Sequence, residues 1–431
     1  MINRILNYQF TLLSFQFSGK SIIKNPLFSG SAIMIVGSNF TNFVAYIYHL
    51  IMGRLLGPSL YGELASTLAA LGLFTTAFGF IGMVIIKFVS SSEDEDKLKG
   101  LYYWFQKKAT YVGFALLCIF LLLSPLVSKF MNLPIKITIL MGPLLFLFLF
   151  TFVYRSFLQG LLKFFKVIIS TSTDLIFRII FGVLLVYLGY SSFGAVFGIF
   201  LASIVSYFVT KSFLRDYSGK KTSLDIGHTK KIVAYSVPVL VFSISNNLLI
   251  SSDVILAKHY FDTHTAGIYA SLSTLGKIIF YGASPVGAVM FPIISKRHFK
   301  GHPYTKVLFF SILMTLGISS GILLIYYLFP ELMVTVLFGE KFIAGAPYLF
   351  SFAIFVVLYS LSNLIAAFYM SIEKTSIVYI PLLFSIIQVV GIVIFHNKVM
   401  DIIIVSIASA GMMLTSMFIY FVYDQKYKIR K

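Results

Sequence analysis

The chain has 431 residues, of which 58% are hydrophobic and only 11% charged, with a mean hydropathy of +0.93. Soluble domains are about a quarter charged, so a water-soluble globule and a large extramembrane catalytic domain are both excluded. The formal net charge of +19 then points to loops facing an anionic leaflet rather than to nucleic acid. The lone cysteine, Cys118, excludes an internal disulfide and a cysteine-rich metal site.

Residues 1–30 mix apolar and basic positions without the apolar block of a secretory signal, and read as a cytoplasmic, interfacial amphipathic segment. About 20 apolar residues cross the hydrocarbon as a helix. Runs of that kind predict spans at 31–53, 62–86, 109–130, 138–162, 167–189 and 191–213. A polar cytoplasmic linker, 214–231, follows, and six more spans are predicted at 233–257, 266–292, 306–329, 347–370, 375–396 and 400–422. The expected organisation is an N-terminal bundle over 31–213, a C-terminal bundle over 232–423 and a basic cytoplasmic tail over 424–431. With the N-terminus in the cytoplasm, 25 Lys/Arg fall on the inner side, six fall on the outer side, and Arg155, Arg178 and Lys277 lie within spans. That asymmetry orients a multi-pass protein of the cytoplasmic membrane with both termini inside.

The two halves repeat at an offset of 204 to 205 residues. At 205, Ser31, Val36, Ser38, Asn42, Gly62, Ala65 and Ser66 fall on Ser236, Val241, Ser243, Asn247, Gly267, Ala270 and Ser271. At 204, Pro143, Leu145, Phe146 and Ser156 are among the residues that fall on Pro347, Leu349, Phe350 and Ser360. Six spans per copy is an even number, so both copies enter from the same side. The fold class expected is therefore an all-α polytopic membrane protein of twelve helices in two six-helix bundles. A pseudo-two-fold along the membrane normal relates them, with a cleft between the halves.

Enzyme motifs are nearly absent. Asp94-Glu95-Asp96 matches a D-x-D pattern but lies in the charged stretch SSSEDEDKLKG, read as a solvated loop, and the histidines show no metal-ligand spacing. What remains are ionisable groups in the spans, each costing about 2.5 to 3.5 kcal/mol at mid-helix and so requiring a partner, a wet cavity or a function. Arg155 and Asp174 are equally far from the turn at 163–166, and Arg178 is one turn beyond Asp174. One carboxylate is thus expected between two guanidinium groups, as an anion site or as a structural ion pair. Lys277 falls deep in the eighth span, facing a wet cavity. Arg54, Lys258 and His259 end spans at the outer lip, as substrate groups or as snorkelling anchors. Asp253 is a candidate for a coupling proton or sodium ion, a role Asp174 could share. Cations outnumber acids in these span interiors, which favours an anionic cargo, and guanidinium groups pair well with phosphate oxygens. An inside-negative potential assists outward movement of a negative charge by about 2.3 kcal/mol per 100 mV.

The first outer turn reads Arg54-Leu-Leu-Gly57-Pro58-Ser-Leu-Tyr61-Gly62, which resembles the R-x-L-G-P-x-x-Y-G signature of polysaccharide flippases. These are the Wzx-type members of the multidrug/oligosaccharidyl-lipid/polysaccharide (MOP) exporter superfamily. Leu158-Gln159-Gly160-Leu161, Asp253 to Lys258 with Ala266 to Ala270, and Leu337-Phe338-Gly339-Glu340 are similar to further segments of that family. The resemblance implies two six-helix bundles around a central cationic cavity. It also implies flipping of undecaprenyl-diphosphate-linked oligosaccharide from the inner to the outer leaflet, without a cofactor or metal. From their places within and at the ends of the spans, the candidate substrate-binding residues are Arg54, Arg155, Arg178 and Lys277, with Asp253 and Asp174 for the coupling ion. Arg54 also matches the arginine of the A-R-x-x-G segment of lipid II flippases, with Gly53 in place of the alanine. Those proteins usually have fourteen spans, against twelve here, which argues against lipid II as cargo. The alternatives are a major-facilitator carrier, whose second-to-third loop usually reads G-x-x-x-D-R-x-G-R, unlike SSSEDEDKLKG here, a multidrug exporter, which would need accessible buried acids, and a membrane polysaccharide polymerase or glycosyltransferase.

Overall fold

The computed structural model describes residues 26–92, 94–217 and 229–429. The expected interfacial segment before residue 26 and most of the linker lie outside the described residues. Among them no strand occurs, as a chain in hydrocarbon requires: each backbone polar group must be satisfied within its own segment. The helices are α1 (Pro26–Thr76), α2 (Phe78–Ser90), α3 (Glu95–Met131), α4 (Ile135–Gly160), α5 (Phe164–Leu185), α6 (Ser191–Ser212) and α7 (Thr229–Tyr260). They continue as α8 (Thr263–Phe299), α9 (Thr305–Leu328), a short α10 (Pro330–Phe338), α11 (Ala346–Ser371), α12 (Tyr379–Ile394) and α13 (Val399–Ile429).

Among the described residues up to ten apolar stretches are long enough to cross a membrane, and two of them turn back on themselves, the first because α1 is a hairpin. Gly57 adopts φ 68° and ψ 176°, outside helical space, and Pro58 starts the returning arm. Ala45 and Ala69, Tyr46 and Leu68, and His49 and Ala65 are each equally distant in sequence from Gly57 and line one cavity. The second arm continues into α2 through a bend of 46°. A second reversal, at Gly189 (φ 90°), separates α5 from α6. Helices α1 to α6 pack mainly on one another, as do α7 to α9 with α11 to α13, and the sets meet where α1 crosses α7 and α8.

One expectation needs correction. The acidic stretch at 94–96 is a helix start rather than a loop: Asp94 caps α3 by accepting from the Asp96 N–H at 3.0 Å, and Glu95 and Asp96 occupy the first turn. Carboxylates there face the positive end of the helix. Helix α13 runs to Ile429, into the basic segment after residue 423. Asp262 caps α8, accepting from His264 N at 2.9 Å and Thr265 N at 3.1 Å, and these bonds hold its carboxyl below the usual carboxylate range. Asp262→Ala should cost about 1 kcal/mol. A group of depressed pKa stabilises above its unfolded value and ceases to as pH falls through the folded one. Thermal unfolding in detergent should therefore separate wild type from variant at pH 7, and the two should converge well below pH 4.

Candidate functional site

Two cavities hold the deep cations. The first lies between the halves, has a volume of 180 Å³, and is lined by both arms of α1 and by α7 and α8. Five of its residues on α1, Tyr46, His49, Ala65, Leu68 and Ala69, fall by the 205 offset on Ser251, Val254, Ala270, Ser273 and Thr274, which line it as well. A cavity whose walls are related by the internal repeat lies on the repeat's axis. Lys277 breaks the relation, since its counterpart is Gly72. The cavity wall contains no carboxylate, and the Lys277 ammonium makes no ion pair among the described residues, although Asp253, behind the wall, lies within its electrostatic reach.

His49 stands in the same wall, and its bonding can be worked out. The Thr274 hydroxyl donates to the Ala270 carbonyl at 3.0 Å, so the Tyr61 hydroxyl, 2.8 Å away, must donate to Thr274. Nδ1 of His49, 3.1 Å from the Tyr61 oxygen, is then the N–H that donates to it. This relay joins the halves. His49 also lies within electrostatic reach of both Lys277 and Arg178.

The second cavity, also 180 Å³, lies inside the first half and is lined by Arg155, Asp174, Arg178, Thr75, Thr151 and Ser203 with aromatic neighbours. Asp174 accepts from Nη2 of Arg178 at 2.7 Å. Arg155, however, does not clasp Asp174: Ser170, one turn earlier on α5, engages it through its hydroxyl at 2.7 Å and its carbonyl at 3.0 Å. Ser206 adds a bond at 2.9 Å. The carboxylate is therefore bonded to one guanidinium, and the cavity keeps the net positive charge of two arginines against one acid.

Arg54 is in neither cavity. Its guanidinium donates to the carbonyls of Val336 and Leu337, the last turn of α10, where orphan carbonyls attract a cation. Around it, Gly53 leaves room for Phe338, and Tyr61 packs edge-on against Phe338 and Phe342 at 5.3 and 6.0 Å. Asn132 donates to the His259 carbonyl at 3.1 Å, and His259 donates to that of Phe130 at 2.5 Å. These contacts close the end of the molecule that carries the Gly57, Asn132 and Asp262 turns. Arg54→Ala should loosen that end. Labelling of Ser273→Cys by an impermeant thiol reagent from that side, in a Cys118→Ser background, should rise several-fold, and unchanged labelling would dissociate Arg54 from closure.

Asp253 lines neither cavity. It is fully buried in the second half, accepting from the Tyr269 hydroxyl at 2.9 Å, and its Oδ1 has no partner. Lys258 is no snorkelling anchor: it is 1% exposed, its ammonium has no hydrogen-bond partner, and it lies within electrostatic reach of Glu63. Glu63, 9% exposed and accepting from the Ser192 hydroxyl, is a buried acid the sequence count left out, as it left out His49. Both stand inside apolar runs, where any titratable side chain is a signal.

The chain is a multi-pass membrane protein: apolar helices of spanning length pack in two sets, with cationic niches between and within them. Its fold is shared with solved members of the MOP superfamily. An inward-facing multidrug resistance MATE family transporter superposes with a TM-score of 0.74 at 14% identity, covering 88% of this chain and 95% of that one. The lipid II flippase MurJ, in an inward closed conformation, gives 0.73 at 15%, covering 90% and 87%. A MOP superfamily transporter from Pyrococcus furiosus gives 0.61 at 14%, covering 93% and 96%. In sequence, the chain is 26% identical over 287 residues to an uncharacterized membrane protein of Methanocaldococcus jannaschii, MJ1375, spanning 62% of this chain and 67% of that protein. The family profile described as "Polysaccharide biosynthesis protein" matches residues 27–298, and the chain belongs to that family.

Proposed function

We propose that the chain flips an oligosaccharide linked to undecaprenyl diphosphate from the inner to the outer leaflet, by alternating access of the cleft between its halves. The observation that carries this reading is Lys277, a cation in the interhalf cavity whose wall offers it no carboxylate. The Lys277 ammonium has no ion pair in this wall, with the buried Asp253 only within its electrostatic reach, and such a cation favours an anion there; the paired oxygens of a diphosphate suit both this ammonium and the arginines of the neighbouring cavity. An exporter of organic cations would need an acid where this wall has none. Membership of the polysaccharide biosynthesis family and likeness in fold to a lipid II flippase support the same class of cargo. The test is leaflet-resolved accumulation of lipid-linked sugars in a deletion strain: inner-leaflet build-up is expected, and unaltered outward delivery of every such intermediate would reject the assignment.

Coupling is assigned to Asp253. Its partnerless Oδ1 belongs to a polar chain in which Tyr269 bonds the carboxylate, Gln388 donates to Ser406 beside Tyr269 at 3.1 Å, and Gln388 Oε1 also lacks a partner. Free buried oxygens of this kind suit a proton or a sodium ion. Asp253→Asn should abolish the dependence of transport on pH or sodium, and transport that keeps both dependences would remove the role.

A further inference from the structure

At the opposite end of the first half, α6 finishes beside the start of α3, and a crevice of 220 Å³ opens between them. Its lining is Tyr102, Phe208, Lys211, Ser212 and Arg215. The chemistry changes along the crevice. Phe208, 62% exposed on the outer surface of α6, is an apolar wall at membrane depth, while Lys211 and Arg215, one and two turns further, form a cationic rim. Neither cation makes an ion pair among the described residues, although Asp216 is adjacent in sequence. Lys211 lies over the ring of Tyr207, its ammonium 5.6 Å from the centroid. Lys163 and Lys166 flank the same end, over the rings of Tyr217 and Phe213 at 5.1 and 5.4 Å.

We infer that this crevice binds the phosphate-bearing headgroup of an anionic membrane lipid, its acyl chain lying along Phe208. A helix end by itself accounts for one cation near its last carbonyls. It does not account for two cations rimming a crevice with a lipid-facing aromatic wall, on the face where the chain gathers its surplus of basic residues. Each Lys or Arg near an anionic leaflet contributes about 1 kcal/mol of attraction, and a crevice between helices turns that diffuse attraction into a seat. The site lies outside both cavities, so it stands whether or not the cargo is a lipid-linked sugar.

The test uses the full chain in detergent, titrated with phosphatidylglycerol or with phosphatidylcholine of identical acyl chains and read by native mass spectrometry. Retention of phosphatidylglycerol should exceed that of phosphatidylcholine, and Lys211→Gln with Arg215→Gln should lower phosphatidylglycerol affinity by about thirtyfold. The charge-preserving exchange, Lys211→Arg with Arg215→Lys, should keep most of the preference, which separates loss of charge from loss of fold. Inorganic phosphate or diphosphate should displace the lipid only at far higher concentration. Equal retention of the two lipids, undiminished binding in the neutral variant, or displacement by inorganic phosphate at matched concentration would each overturn the assignment.

Discussion

Gly267→Ala should tilt the protein toward opening at the end that carries Arg54, and should slow transport by at least an order of magnitude. A Cβ built on Gly267 falls onto the carbonyl and Cα of Pro58, and one built on Gly62 meets the Cα and N of Gly267 at 2.9 Å. These are backbone atoms. They cannot turn aside as a side chain would, so relief requires the two halves to part. Overpacking of this kind costs about 1–3 kcal/mol, enough to shift a two-state population by about 5- to 150-fold. Gly62 and Gly267 are the same position in the two copies of the repeat, so this contact lies where the halves meet their own counterparts. Labelling of Ser273→Cys from the Arg54 side should rise in step with the loss of transport. Wild-type labelling together with wild-type transport would mean that this contact does not govern opening.

The second large effect concerns Asp174 and Arg178, and it separates a structural ion pair from an anion site. Asp174→Ala leaves Arg178 and Arg155 in one cavity with no acid, and breaking a buried pair from one side costs about 3–5 kcal/mol. Removing both partners with shape-filling residues, Asp174→Leu with Arg178→Met, should restore stability to within about 1 kcal/mol, because no orphan charge remains. If the pair only braced α5, the double variant would transport normally. The cationic-niche account expects the double variant to insert, to unfold at close to the wild-type temperature in detergent, and to have lost transport.

Much of this architecture is legible in the chain because hydrocarbon makes strong demands. The apolar runs and the Gly57-Pro58 reversal give the spanning helices and the first hairpin, while Gly62 and Gly267 anchor a repeat offset that also pairs opposite walls of the interhalf cavity. Sequence spacing likewise gives the Asp174–Arg178 bond, a matter of one helical turn within a single element. Partners on other elements were harder to read. Depth alone placed Arg155 level with Asp174, but the hydroxyls of Ser170 and Ser206, too weakly polar to register in a span of apolar residues, hold it first. Sequence position puts Arg54 at the outer lip, as a substrate group or a snorkelling anchor, but cannot reveal the carbonyls at the end of α10, 282 and 283 residues away, that its guanidinium satisfies. His49 is a further case, because a neutral imidazole carries no formal charge to count, and its relay to Thr274 exists only across the two halves.

The central claim is that an unpaired cation between the halves receives a phosphorylated lipid carrier. Delivery of lipid-linked sugar to the outer leaflet, measured in cells carrying Lys277→Ala or Lys277→Arg at matched expression, tests it most directly. Inner-leaflet accumulation with alanine and substantial delivery with arginine are the predicted results; wild-type delivery by the alanine variant would contradict the account.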